Sequence, residues 1–351
     1  GGWITETYSW HWLFLINILP GIMAATIAAL LLPKSPMRLG EAKTLDVASL
    51  ILMAIALAAL EIALKEAPQR GWTSGLVAGL LILSVSSMGG FLKRTLRVSH
   101  PVVDLSAFTS RNFAVGCLLS FVLGMGLFGS VYLMPVFLAF VRGHNALQIG
   151  LIMLVTGVAQ LCVAPVAVAL EQRLDARFLS AAGFAVFATG LAMSAVQTPQ
   201  TDYDAMFWPQ VVRGVGIMFC LLPPTRLALG DMNLERVPDA SGLFNLMRNL
   251  GGAIGLALID TVIYSRTATH ASDVTQKLTA GDVSTANFVG IPLDMFAAHR
   301  SGPMDALSQS LLTPMVEKAA LTLAINDAWM MLAAVTAAVV ICLPLCRKSH
   351  R

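Results

Sequence analysis

Nine apolar runs of bilayer-spanning length occupy most of this chain, at residues 12 to 32, 46 to 64, 73 to 91, 113 to 141, 147 to 170, 178 to 196, 207 to 229, 240 to 264 and 325 to 346. Hydrocarbon offers no partner to a backbone N–H or C=O. A run of about 20 apolar residues must therefore satisfy its own backbone, and it reads as a spanning helix. Only 12% of the 351 residues are charged, against about 25% in an ordinary soluble domain. Period-two alternation within the runs is weak, which argues against a transmembrane barrel. The expected fold class is all-α, a polytopic membrane protein with about nine transmembrane helices.

The five cysteines lie in or at the ends of apolar runs, where a thiol behaves as a small hydrophobe. No CxxC spacing or neighbouring histidine pair accompanies them, so neither a metal site nor a disulfide framework is expected. No phosphate-binding glycine loop or catalytic triad stands on a loop, which argues against an enzyme or an ATP-driven pump. No cofactor is expected, and a net charge of +3 gives no reason to expect a nucleic-acid partner.

Loop charge sets the expected orientation. If the first run enters from outside, the inner connections 33 to 45, 92 to 112, 171 to 177, 230 to 239 and the tail hold 13 Lys and Arg, and the outer connections hold seven. Four of those seven lie in the loop 265 to 324, which counts little because long loops cross regardless of charge. The carboxyl tail is then cytoplasmic and the amino end outside. Trp12, Trp72, Trp208 and Trp329 sit near run ends, where amphipathic rings favour the headgroup level. The loop 265 to 324 is expected to form an irregular cap with one or two short helices.

Polar residues inside the runs are the candidates for function, because charge at the bilayer centre costs roughly 2.5 to 3.5 kcal/mol even on lenient scales. In the run 207 to 229, Gln210, Arg213, Gly214, Ile217, Cys220 and Pro224 form one helical stripe. In 240 to 264, Ser241, Asn245, Arg248, Gly252 and Gly255 share a face flanked by Asn249 and Asp260, with Leu243, Leu246, Leu250, Ile254 and Ala257 opposite. Gly251 and Gly255 make a GxxxG pair suited to close helix packing, with or without lining a cavity. Gly124, Gly126, Gly129 and Pro135 make the run 113 to 141 approachable and bendable, for packing or gating. Pro223 and Pro224 bend the inner end of 207 to 229 as a fixed kink or a hinge. Gln160, an amide in mid-span, should face the protein interior. Arg226 lies near the inner boundary, where it can snorkel, and Glu61 and Lys65 are spaced for an i,i+4 ion pair.

At ~1.5 Å per residue, Arg213 lies ~7 Å and Asp260 ~12 Å outward of their span centres. The two are therefore expected to pair. Arg248 has no acidic residue at its depth, which points to Arg248 as the functional cation and Arg213 as the structural one.

Four stretches, GGWITETYSWHWLFLINILPG, HPVVDLSAFTSRNFAVG, WPQVVRGVGIMFCLLPPT and ASGLFNLMRNLGGAIG, resemble the major facilitator superfamily, specifically its fourteen-spanner drug:proton antiporters of the EmrB/QacA type. They resemble, in order, the end of family helix five with the start of helix six, the linker into helix nine, helix twelve and helix thirteen. The resemblance implies a two-half transporter with a binding site near the midplane. Residues 1 to 32 would close the amino-terminal half, 33 to 111 would hold an inserted helix pair and a cytoplasmic linker, and 112 to 351 would form the carboxyl-terminal six-helix half. Gly1 and Gly2 would be the remnant of the antiporter motif. Nine helices would be fourteen less the first five, and residues 1 to 351 alone are expected to confer no drug resistance.

The function so implied is proton-coupled efflux of amphipathic or hydrophobic compounds across the inner membrane. Export of one dedicated metabolite by the same fold, and a non-transporting membrane scaffold, are the alternatives. The implied partners are small-molecule substrates, protons and membrane lipids, together with the periplasmic adaptor and outer-membrane channel that Gram-negative relatives commonly use.

Overall fold

The computed structural model describes residues 1–31, 46–98, 103–230, 232–233, 236–293, 296 and 306–346, with the backbone alone at 306–311. Among the described residues there is no strand, and nine segments are helical, long and apolar enough to cross a membrane. The tail and the whole of the first inner connection, 33 to 45, with Lys34, Arg38 and Lys43, lie outside the described residues.

The helices are α1 (Gly2–Thr7), α2 (Trp12–Leu15), α3 (Ile18–Leu31), α4 (Val47–Arg70), α5 (Gly75–Thr95), α6 (Arg111–Val136), α7 (Ala146–Arg173), α8 (Ala176–Met193), α9 (Tyr203–Leu229), α10 (Val237–Thr279), α11 (Val283–Val289) and α12 (Ala306–Ala338). Polar side chains start them where the apolar runs begin. Asn145 and Gln148 form a reciprocal capping box at α7, and Asp46, Ser110, Asp175 and Asp202 accept first-turn backbone N–H groups at α4, α6, α8 and α9. Such caps satisfy donors that the helix itself leaves free.

Helix α9 packs against α6, α7 and α8, while α10 packs against α6, α12 and α4. Their shared core holds Leu119, Leu133, Phe184, Phe187, Ile217 and Trp329. Helices α4 and α5 form a separate pair joined through alanines Ala63 and Ala67. This pair touches the bundle at α10, where Trp72 Nε1 donates to Thr261 Oγ1 at 3.1 Å and Gln69 Nε2 donates to the Tyr264 hydroxyl at 3.4 Å.

Three expectations change. The cap over 265 to 324 is largely helical, because α10 runs on to Thr279 and α12 begins at Ala306. Ala271, Val274 and Leu278 recur at spacings of three and four and bury against Val316 and Ala319 of α12 and Ala286 and Val289 of α11. At ~1.5 Å per residue α10 is about 65 Å long, twice the ~30 Å of hydrocarbon. Trp329 is wholly buried in the bundle rather than at a headgroup boundary. Lys65 takes no partner at Glu61; the ion pair on α4 is Arg70 with Glu66, one turn further on and closer to the helix end.

Candidate functional site

Helices α6, α7 and α9 border an open cavity of about 190 Å³ lined by Ser130 and Val131 of α6, Thr156 and Gln160 of α7, and Gln210 and Arg213 of α9, among others. Small residues let the backbones close around it. A Cβ on Gly214 would stand 2.7 Å from the Thr156 carbonyl oxygen, and one on Gly190 of α8 would stand 2.7 Å from the Arg213 amide nitrogen. The Arg213 side chain therefore leaves a backbone clamped on both sides, and it is only 3% exposed.

The polar groups here are unequally supplied. Thr156 donates its hydroxyl to Gln210 Oε1 at 3.1 Å, and Arg213 Nη2 reaches Thr156 Oγ1 at 3.5 Å. Those contacts leave Gln210 Nε2, Arg213 Nε and Arg213 Nη1 buried without a hydrogen-bond partner. All three are donors. The guanidinium carbon lies 5.1 Å from the Trp329 ring centroid, a cation–π contact that offsets part of the desolvation. No lining residue is acidic.

The sequence candidates divide. Gln160 and Arg213 come together at this cavity. Asp260 does not join them, and the expected pairing with Arg213 is absent: Asp260 Oδ1 accepts from the Tyr132 hydroxyl at 2.7 Å. The two side chains turn to different neighbours. Arg213 meets Thr156 of α7 and Trp329 of α12, while Asp260 meets Tyr132 of α6. Asn245 and Asn249 are exposed on α10, with Asn245 Nδ2 donating to its own helix at Ser241 O, 3.0 Å. Arg248 is half-buried with its guanidinium 5.5 Å from the Phe244 ring centroid, and its Nε is buried without a partner. Leu243 and Ala257, expected opposite the polar face, are buried, because α10 has neighbours on several sides.

The small residues lie at helix contacts. A Cβ on Gly251 would stand 1.9 Å from the Phe121 carbonyl oxygen, and one on Gly124 would stand 2.0 Å from the Arg248 carbonyl oxygen. Gly255 faces Met125, Gly126 faces the Phe187 ring, and Gly129 faces Ile259 and Leu332. Pro135 precedes a π-helical stretch, Phe137–Val141, that ends α6, whereas Pro223 and Pro224 lie buried inside a continuous α9. Gly1 and Gly2 begin the short α1, which rests on the start of α7. Arg226 Nη1 donates to the Glu171 carbonyl oxygen at 2.5 Å.

Thr156, Ser130 and Tyr132 were not singled out by sequence, and Trp329 was expected at a headgroup boundary rather than beside Arg213. A hydroxyl facing into a bundle and one facing out leave the same mark in a single chain, so only the three-dimensional rotation of α6 and α7 reveals them.

Two acidic anchors sit beyond the cavity end of the bundle. Asp202 accepts from Arg142 Nη2 at 2.6 Å and contacts His144 Nε2 at 3.0 Å. Burial raises the Asp202 carboxyl, but the hydrogen bonds from Arg142 and His144 outweigh it and hold the group down at about 2. Asp327 meets Arg266 Nε at 2.9 Å and His270 Nε2 at 2.8 Å, tying α10 to α12. At the opposite end, Ser106 and Arg236 hold the Asp104 carboxyl below its ordinary range.

Comparison with known proteins adds identity to this geometry. The family model described as Major Facilitator Superfamily matches residues 1–256. The chain is 40% identical over 281 residues to the colistin resistance protein EmrB of Acinetobacter baumannii, covering 80% of this chain and 55% of that protein. It is 30% identical over 284 residues to the multidrug export protein EmrB of Escherichia coli K12, covering 79% and 54%. It is 28% identical over 280 residues to the multidrug export protein EmrB of Haemophilus influenzae, covering 79% and 55%. The chain thus spans about half the length of the curated relatives it matches.

Proposed function

Because the chain belongs to the Major Facilitator Superfamily, we propose that it works as part of a proton-coupled multidrug efflux transporter of the inner membrane. On this reading residues 112 to 351 form one transport half, α4 and α5 are the inserted pair, and residues 12 to 32 belong to the other half. Substrates are amphipathic or hydrophobic compounds, and the relatives named multidrug export protein and colistin resistance protein support the export of drugs. The observation that carries the reading is the cavity between α6, α7 and α9, with Gln160, Gln210 and Arg213 on its wall. A charged side chain kept at such a depth marks a pathway more often than a scaffold.

Proton coupling falls to a carboxylate, and Asp260, held by Tyr132 rather than by a cation, is the residue within a spanning helix best placed for it. A periplasmic adaptor and an outer-membrane channel would complete export in a Gram-negative envelope. The test is a resistance and dye-efflux assay with the complete gene, with and without a protonophore. Efflux that the protonophore abolishes is expected, and efflux indifferent to it would rule out proton coupling.

Orientation follows from the loop charges, with the carboxyl terminus cytoplasmic and the extension of α10 outside. In intact cells a cysteine introduced as Ala280→Cys should label with an impermeant reagent and one introduced as Val98→Cys should not. Labelling of both would overturn this topology.

A further inference from the structure

The α4–α5 pair is fastened to the bundle at one short stretch of α10, and that stretch adjoins Asp260. Trp72, in the connection between the two helices, donates its indole N–H to Thr261 Oγ1 at 3.1 Å, and Gln69 Nε2 of α4 donates to the Tyr264 hydroxyl at 3.4 Å. Among the described residues, the pair's other interhelical bonds stay within it, from Ser84 to the Ala56 carbonyl oxygen and from Arg94 to Asp46. The Thr261 hydroxyl in turn donates to the Ala257 carbonyl oxygen at 2.7 Å. The indole therefore holds a side chain that is itself tied to the α10 backbone. Thr261 and Tyr264 follow Asp260 by one and four positions, so on a helix of 3.6 residues per turn both are its surface neighbours. Asp260 takes the Tyr132 hydroxyl of α6 on Oδ1 at 2.7 Å.

From this placement we infer that Trp72 and Gln69 are positioning residues for the proton step: the α4–α5 pair braces the turn of α10 that carries Asp260 and so keeps its carboxylate in register with the Tyr132 hydroxyl. A hydrogen bond weakens steeply as its distance and angle leave the favoured range. A slight rotation of α10 would therefore loosen the Tyr132 contact and change how readily the carboxyl takes up a proton. The charged groups of the other helices packed on α10 are engaged elsewhere: Arg70 with Glu66 on α4, Asp327 of α12 with Arg266 and His270, and Arg213 of α9 with Thr156. Tyr132 is the titratable side chain bonded to Asp260, and Tyr264 lies close enough to Tyr132 to act on it electrostatically. The inference rests on the reading of Asp260 as the proton carrier and deepens it, by giving the α4–α5 pair a part in transport.

The experiment measures dye efflux from intact cells expressing the complete gene over a series of external pH values, each variant being compared with the unaltered protein so that the driving force cancels. Trp72→Phe removes the indole N–H and keeps a ring, and Thr261→Val removes the acceptor and keeps the shape. Each is expected to move the pH of half-maximal efflux by about half a unit, the size of one modest hydrogen bond, in the same sense as Tyr132→Phe. Gln69→Leu, which removes the longer bond, should move it less. In a Tyr132→Phe background neither Trp72→Phe nor Thr261→Val should add to the shift. Because the two substitutions sit on opposite sides of one bond, either suffices if the other folds poorly. An unmoved midpoint in a variant that still exports dye, even at a lower rate, would reduce the bond to a structural attachment and overturn the inference. A full extra shift on top of Tyr132→Phe would overturn it as well. Both results leave the reading of Asp260 intact, whereas a pH profile that survives Asp260→Asn would sink that reading and the inference with it.

Discussion

Arg213 and Arg248 both lie within membrane-length helices, and they meet the same electrostatic burden in different ways. Arg248 is half-buried above Phe244 on a helix whose neighbouring polar residues, Asn245 and Asn249, are exposed. Arg213 is 3% exposed, pressed between Trp329 and Thr156, and left with two unpartnered nitrogens on a cavity wall. Depth alone had favoured Arg248 as the working cation. We propose the reverse assignment, because Arg213 is the more deeply buried of the two and borders the cavity, whereas a half-buried guanidinium with an open side can be hydrated.

The largest separation between the two arginines should appear in transport. Arg213→Met is expected to cut dye efflux at least about tenfold, a loss of ~1.4 kcal/mol. The same change should leave the melting temperature unchanged or raise it, since removing an unpaired buried charge relieves desolvation. Arg248→Met should lower efflux less than about threefold, a difference under ~0.7 kcal/mol. Parallel efflux rates and thermal melts of the two purified proteins check this, and equal losses at both positions would erase the distinction.

Backbone contacts offer the next largest effect. Gly124→Ala would press a methyl group onto the Arg248 carbonyl oxygen, and Gly190→Ala would press one onto the Arg213 amide. Each should destabilise by ~1–3 kcal/mol through forced separation of the helices. Gly124 is the worse case, because its approach of 2.0 Å is tighter than the 2.7 Å at Gly190. Gly242→Ala, with open space around it, should be neutral or stabilise the helix by up to ~1 kcal/mol. Melting temperatures of the three variants give the ranking.

The smallest effect lies outside the spanning segments. The Asp202 carboxyl, held at about 2 against an ordinary 3.8, adds stability that is present above the ordinary value and is lost as pH falls through the folded one. Thermal melts should therefore decline between pH 4 and pH 2 by more than those of Asp202→Asn. The difference should be modest, because Asp202 is 39% exposed and screened by solvent, as such pairs generally are. Identical pH profiles would show that the Arg142 and His144 contacts contribute nothing.

What the sequence could disclose followed from one-dimensional periodicity. The stripe Gln210, Arg213, Gly214, Ile217, Cys220 and Pro224 was readable from spacing, and all six residues are buried on α9. Length and apolarity located nine spanning helices among the described residues. Partners were not readable, because choosing between Thr156 and Asp260 for Arg213 requires the rotation of α7 and α10 about their axes, which adjacent side chains do not encode. The extension of α10 to Thr279 was missed for a related reason. Its apolar residues are small and sparse, and they form a face only once α11 and α12 supply the other side.

The most direct test of the account is a double-mutant cycle between Arg213→Gln and Asp260→Asn, read as melting temperature and as dye efflux in all four proteins. With Asp260 bonded to Tyr132 and Arg213 bonded to Thr156, the two changes should add within about 0.5 kcal/mol in stability, as independent sites do. Each should carry its own transport defect. A double variant that regains the stability or efflux lost in either single one, by a coupling above about 1 kcal/mol, would show that the two charges are paired and contradict the account of a free cation on the cavity wall.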